Sequence, residues 1–160
     1  MANVLLLHPG QMGSSVANAL IQAGHEVFWV SQDRSNQTRE RAEELGLRDV
    51  TDLLMALENS QFVISVCPPE YAGSLAEEVI EKGYEGIYVD ANAVSPATSL
   101  AMGDLVGENY VDGGIIGPPA WNVGSTRIYL SGPRAANIAM LFEGTLLESC
   151  LLYTSDAADE

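Results

Sequence analysis

The chain has 160 residues, 47% hydrophobic and 18% charged, enough for one well-cored domain and too few for two. Its 22 acidic against 7 basic residues give a formal charge of −15, a balance that argues against nucleic acid as a partner. No apolar run approaches the ~20 residues of a spanning helix, no basic leader precedes Val4, and Cys67 and Cys150 are too few for a disulfide framework. A reducing cytoplasmic setting without membrane contact is therefore the expectation.

In chain order, Val4–Leu7 is a short apolar run ended by Pro9-Gly10, as in a buried parallel strand. From Met12 the apolar residues recur at helical spacing (Met12, Val16, Leu20), and Gly24 closes the helix. Val27–Val30 is the second strand. Ser35–Leu45 reads as a charged helix stopped by Gly46, and Asp52–Leu57 as a short one. A strand at Phe62–Val66 stops at Cys67-Pro68-Pro69. Tyr71–Glu81 is helical up to Gly83, Gly86–Val89 a strand, and Ser95-Pro96 an N-cap with Pro at N1, opening a helix to about Leu105. Tyr110–Ile116 and Arg127–Leu130 are later strands, with a helix at Pro133–Phe142. The alternation of strand and helix specifies an α/β fold, a doubly wound and mainly parallel sheet of Rossmann type.

The first strand-to-helix turn carries the dinucleotide spacing with His8 at the first glycine's place: His8-Pro9-Gly10-Gln11-Met12-Gly13. Gly10 lets the backbone approach a pyrophosphate, Gly13 lets the helix pack on the strand, and the amides at the helix start face the anion. Two spaced glycines are common in ordinary turns, so the placement after strand one is what gives the motif weight. His8 is either a phosphate contact or a structural turn residue.

In such a fold the residue closing the second strand selects the cofactor. That place falls on Ser31, with Arg34 three residues on. A hydroxyl and a guanidinium suit a 2′-phosphate and favour NADP(H), with NAD(H) still open. Asp33 competes for the acidic role that would favour NAD(H), and Arg34 is otherwise a solvated loop charge.

Taken together, Gly10–Gly13 with Ala23–Val27, Val66–Pro69, Val89–Pro96 and Val111–Pro119 resemble the NAD(P)-binding domain of the 6-phosphogluconate and 3-hydroxyacid dehydrogenase superfamily. Leu6–Gly13, Trp29–Ser35 and Thr126–Gly132 are similar to its branch of 6-phosphogluconate dehydrogenase-like oxidoreductases. The resemblance implies that Cys67, Pro68 and Pro69 pass the ribose on the nicotinamide side and that Asn92 lies near the nicotinamide. It implies that Gly113, Gly114 and Gly117 line the substrate side, and that the substrate is a small molecule. Taken by themselves, Cys67 reads as a small buried filler, Asp90 as a structural cap, and the two glycines Gly113 and Gly114 as packing positions.

Where hydroxyacid enzymes carry a substrate-binding serine, this chain has Ile116, which cannot hydrogen-bond a carboxylate. The Ile-Gly-Pro-Pro wording is also similar to that of imine reductases, which reduce C=N. A nucleotide-binding module without chemistry is a third reading. The superfamily's catalytic lysine lies on a later helix; Lys82, beside Gly83, reads as a surface charge, so the catalytic residue is expected beyond Ser149. No metal ligands are singled out.

The last residues, Cys150–Glu160, resemble the in-frame translation of a transposase sequencing adapter. Residues 1–149 are therefore taken as the NAD(P)-binding domain and 150–160 as a non-native tail. On this expectation the natural chain continues into a helical C-terminal domain through which the parent protein forms a homodimer, and residues 1–149 alone bind cofactor without turning over.

Overall fold

Successive side chains of a strand point to opposite faces, and the first strand, β1 (Asn3–Leu7), is apolar on both. Val4 and Leu6 pack with Val16, Leu20, Trp29 and Ile64, while Leu5 and Leu7 pack with Phe28, Val63, Val79 and Tyr88. A strand buried on both faces belongs in the middle of a sheet that helices cover on each side. That is its place in the computed structural model, which describes residues 1–152.

The other strands are β2 (Glu26–Trp29), β3 (Arg48–Asp49), β4 (Phe62–Ser65), β5 (Ile87–Asp90), β6 (Tyr110–Ile116), β7 (Thr126–Ser131) and β8 (Leu147–Leu151). They form one sheet in the order β3-β2-β1-β4-β5-β6-β7-β8. All neighbours are parallel except β6 and β7. The sheet is the mainly parallel, doubly wound one expected from the alternation of elements. Its one antiparallel step has a simple cause, because the loop 117–125 between β6 and β7 contains no crossover helix.

The helices are α1 (Gln11–Gln22), α2 (Asn36–Leu45), α3 (Leu53–Glu58), α4 (Ala72–Glu81), α5 (Pro96–Val106) and α6 (Ala135–Leu141). Three of them begin on a polar residue whose side chain caps them. The hydroxyls of Ser35 and Ser95 accept from the amides of Thr38 and Thr98 at 3.2 and 3.1 Å, and the Asp52 carboxylate accepts from Leu54 at 3.1 Å. Such a cap contributes about 1 kcal/mol. Gly46 ends α2 at φ 84°, a conformation that a side chain would strain. The helix expected from Tyr71 starts one residue later, after a 3-10 turn at Pro69–Tyr71, because two prolines delay regular α bonding.

Two strands have no counterpart in the sequence reading. One is β3, two exposed residues beside β2. The other is β8, which pairs in parallel with β7 and extends through Cys150 and Leu151. The boundary drawn at Ser149 thus falls within an edge strand, and residues 153–160 of the tail lie outside the described residues. Among the described residues, no helix is long and apolar enough to cross a membrane.

Candidate functional site

Parallel strands deliver their carboxyl ends to one edge of the sheet, and ligands bind where the strand order reverses, between β1 and β4 here. Two backbone bonds link the chain leaving these strands: the Val66 amide donates to Leu7 O, and the His8 amide to Val66 O at 2.9 Å. The loop His8–Gly10 and the turn Val66–Pro69 therefore stand side by side above the switch point.

The loop has two glycines with different duties. A Cβ at Gly13 would collide with the carbonyl oxygen of His8, so glycine is what lets α1 approach the loop. At Gly10 a Cβ would meet nothing within 4 Å, and the residue is exposed. Gly10 is also the N-cap of α1, with no side-chain hydrogen bond and no acidic residue in the first turn. The leading amides of a helix lack partners within it, so this start offers uncommitted donors and the positive end of the helix dipole. Both properties suit an anion.

His8, Arg34, Cys67 and Pro68 line one cleft of about 430 Å³, together with Tyr71, Ser74, Leu75 and Glu78. Burial, with the Arg34 charge adding to it, holds His8 down at about 4, so its imidazole is neutral near pH 7. The buried Nδ1 of His8 has no hydrogen-bond partner among the described residues. A buried polar atom left without a partner is costly. The uncapped helix start and the open approach at Gly10 stand beside this cleft.

Strand β2 ends at Trp29, two residues before Ser31, the position expected to select the cofactor. Ser31 is buried at 4% exposure, and its carbonyl accepts from the Arg34 amide at 3.1 Å, closing a turn through Gln32 and Asp33. Asp33 takes φ 63°, the left-handed conformation tolerated by Asp in turns. The turn carries the exposed Arg34 to the cleft.

Asn92 lies behind the cleft and is 8% exposed. Its Oδ1 accepts from the Cys67 amide at 2.7 Å, and its Nδ2 donates to Asp90 Oδ1 at 2.7 Å and to Ser65 Oγ at 3.1 Å. It fixes the Val66–Pro69 turn to the ends of β4 and β5. Burial pushes the Cys67 thiol up, so it is no ready nucleophile. Asp90, fully buried, is raised to about 6 chiefly by burial; the Asn92 hydrogen bond opposes this and the Asp112 charge adds to it.

The remaining sequence-derived positions are not gathered in that cleft. Gln11 lines a second cleft, of about 380 Å³, with Ser14, Arg41 and Trp121. Pro9 is buried in the loop, Met12 is half-buried in the first turn of α1, and Pro69 opens the 3-10 turn. Gly113 is packed in the core, where a Cβ would press on Val89, Ile128 and Leu130, whereas Gly114 has open space. Gly117 takes φ 123° and passes close to the backbone of Ser125 and Thr126. Ile116, in the place of the substrate-binding serine, is 67% exposed. The sequence reading missed Tyr71, which the 3-10 turn brings to the cleft, Ser74, Leu75 and Glu78, which α4 brings there, and Arg41. Among the described residues no group of three or more His, Cys, Asp or Glu is placed to hold a metal ion.

Comparison with known proteins agrees with this fold. The family model described as NADP oxidoreductase coenzyme F420-dependent matches residues 4–94, more than half of the chain. An uncharacterized 28.5 kDa protein of Methanothermus fervidus, from the 7S RNA 5′ region, is 34% identical over 105 residues, which are 65% of this chain and 41% of that protein. A solved structure of a conserved protein of unknown function, described as similar to 3-hydroxyacid dehydrogenases, superposes with a TM-score of 0.82 at 28% identity, over 94% of this chain and 57% of that one. An imine reductase from Bacillus cereus shares the fold, with a TM-score of 0.73 at 21% identity over 94% and 54% of the two chains. The chain thus spans about half the length of the proteins it matches.

Proposed function

The chain belongs to the NADP oxidoreductase coenzyme F420-dependent family, and from that premise we propose that it is the dinucleotide-binding part of an oxidoreductase acting on a small polar substrate. The observation that carries this reading is the convergence of His8, Arg34, Cys67 and Pro68 on one cleft beside the uncapped start of α1. Gly10 to Gly13 receive the pyrophosphate. Ser31 and Arg34 receive the adenosine ribose and its 2′-phosphate, which makes NADP(H) the preferred form over NAD(H). His8 offers a neutral imidazole at the same edge, and Asn92 holds the turn against which the nicotinamide half lies. Gly114, with Gly113 and Gly117 shaping its strand and loop, is on the substrate side.

When bound, the nicotinamide supplies the hydride chemistry, and this chain's residues bind and orient it. The proton-transferring group is proposed to come from a helical domain beyond these residues. That domain also makes the parent protein a homodimer, and the isolated chain binds cofactor without turnover. The compartment proposed is the cytoplasm.

Titration calorimetry of the chain with NADPH and with NADH tests the reading. Saturable binding of both, tighter for NADPH, is the expected result, and no saturable binding of either overturns it. A second reading, reduction of a C=N bond, is favoured by one feature: Ile116 offers no hydroxyl for a substrate carboxylate. Assaying the parent protein with a hydroxyacid and with a cyclic imine separates the two.

A further inference from the structure

The carbonyl of Pro9 takes two hydrogen bonds, one from α1 and one from α2. Ser14 Oγ donates to it from α1 at 3.2 Å, and Arg41 Nη1 donates from α2, also at 3.2 Å. The amide on the other side of the same peptide, Gly10 N–H, donates to His8 O at 2.9 Å. The Pro9–Gly10 peptide is thereby held at both ends. Arg41 is half-buried and makes no ion pair among the described residues, so its guanidinium is committed to this carbonyl and to the neighbouring cleft.

The orientation matters because a carbonyl oxygen carries partial negative charge. Were the peptide to rotate, that oxygen would turn toward the place where an anion meets the amides of α1, and repulsion would replace attraction. A glycine at one end of the peptide makes such a rotation easy, since Gly10 has no Cβ to resist it and nothing within 4 Å around that position. A charged donor holding a neutral carbonyl is the stronger kind of hydrogen bond. We infer that Arg41 is a positioning residue for the phosphate loop: it latches the Pro9 carbonyl, with Ser14 as the second catch, and so keeps the loop preorganised for a pyrophosphate. The inference deepens the reading of the cleft as a dinucleotide site and rests on it.

The test uses Arg41→Met and Ser14→Ala with three probes: NADPH, ADP-ribose, and adenosine 2′-monophosphate, which has no pyrophosphate. Losing a charge-assisted latch should weaken the two pyrophosphate probes roughly tenfold in Arg41→Met and about threefold in Ser14→Ala. Adenosine 2′-monophosphate, which engages only the Ser31 and Arg34 end, should keep its affinity within twofold. Equal weakening of all three probes, or no change in any, overturns the latch. If Arg41→Met does not fold, the split between probes in Ser14→Ala decides alone. If the unaltered chain binds none of the three, the dinucleotide reading itself fails, an outcome distinct from failure of the latch.

Discussion

The amide of Cys67 donates to the side-chain oxygen of Asn92 across 2.7 Å, joining the turn after β4 to the end of β5. The bond closes a buried set in which the Asn92 amide group also reaches Asp90 and Ser65. An asparagine suits this place because it donates and accepts at once; aspartate would only accept when ionised, and would face the Asp90 carboxylate.

Replacing Asn92 with alanine should therefore cost about 2–3 kcal/mol, the penalty for leaving buried partners unsatisfied. Urea unfolding reads this directly. Dinucleotide affinity should fall as well, because the Val66–Pro69 turn loses its anchor. A loss under about 0.5 kcal/mol, the usual range of neutral surface changes, would show that the anchor is not needed.

The two loop glycines should respond in opposite ways. Gly13→Ala forces a Cβ against the His8 carbonyl and should destabilise the fold by about 3 kcal/mol or more, as overpacking of a rigid backbone contact does. Gly10→Ala has free space and an ordinary φ of −77°, so its stability should change by less than about 1 kcal/mol. Its NADPH affinity should nevertheless drop, since the methyl group stands where the pyrophosphate approaches. Thermal unfolding and calorimetry of both variants check the pair of outcomes.

Much of this was legible in the residues. Val4–Leu7, the Gly24 and Gly46 stops and the Ser95 cap state their own structure, because period, cap and breaker chemistry are local. Other features depend on meetings that no local pattern records. β3 is two exposed residues that become a strand only by lying beside β2. Leu147–Leu151 lacks β-branched residues and is a strand because β7 offers it an edge. Arg41 reaches Pro9 from 32 positions away, and Tyr71, Ser74, Leu75 and Glu78 meet His8 and Arg34 at the cleft only through the tertiary fold. The antiparallel turn at β7 did have a local signal, in a β6–β7 loop with no helix to carry a crossover.

Removing the Arg34 charge should alter both the cofactor preference and a neighbour. Arg34→Ala should lose about ten- to a hundredfold in NADPH affinity, the range expected for a charged hydrogen-bonding partner, and much less for NADH. Because burial is the larger cause of the low His8 value and the Arg34 charge the smaller, His8 should titrate somewhat above 4 in the variant yet below an ordinary histidine. An NMR titration of the imidazole follows this shift; an unmoved His8 would place Arg34 away from it.

Asp90 and His8 give opposite pH dependences. The folded Asp90 carboxyl is raised to about 6 from an ordinary 3.8, so between those values the folded state holds a proton that the unfolded state has lost. Its contribution to stability is complete below 3.8 and disappears as pH rises through 6. His8, lowered to about 4 from 6.5, favours the folded state increasingly as pH rises across that window. In the unaltered chain the two partly cancel. Asp90→Asn removes the first and keeps an oxygen for the Asn92 hydrogen bond, so its melting temperature should rise more steeply from pH 4 to 7. Parallel melting curves for the two proteins would rule out the shift at Asp90.

On the proposed function, a dinucleotide lies across the β1/β4 switch point, from the start of α1 to the Arg34 turn. The most direct test is a backbone amide NMR titration of the chain with NADPH. The largest shifts are expected at Gly10 to Gly13, Arg34 and Cys67, saturating together with one affinity. Saturable shifts confined to the β6–β7 loop, or no shifts at millimolar NADPH, would contradict it.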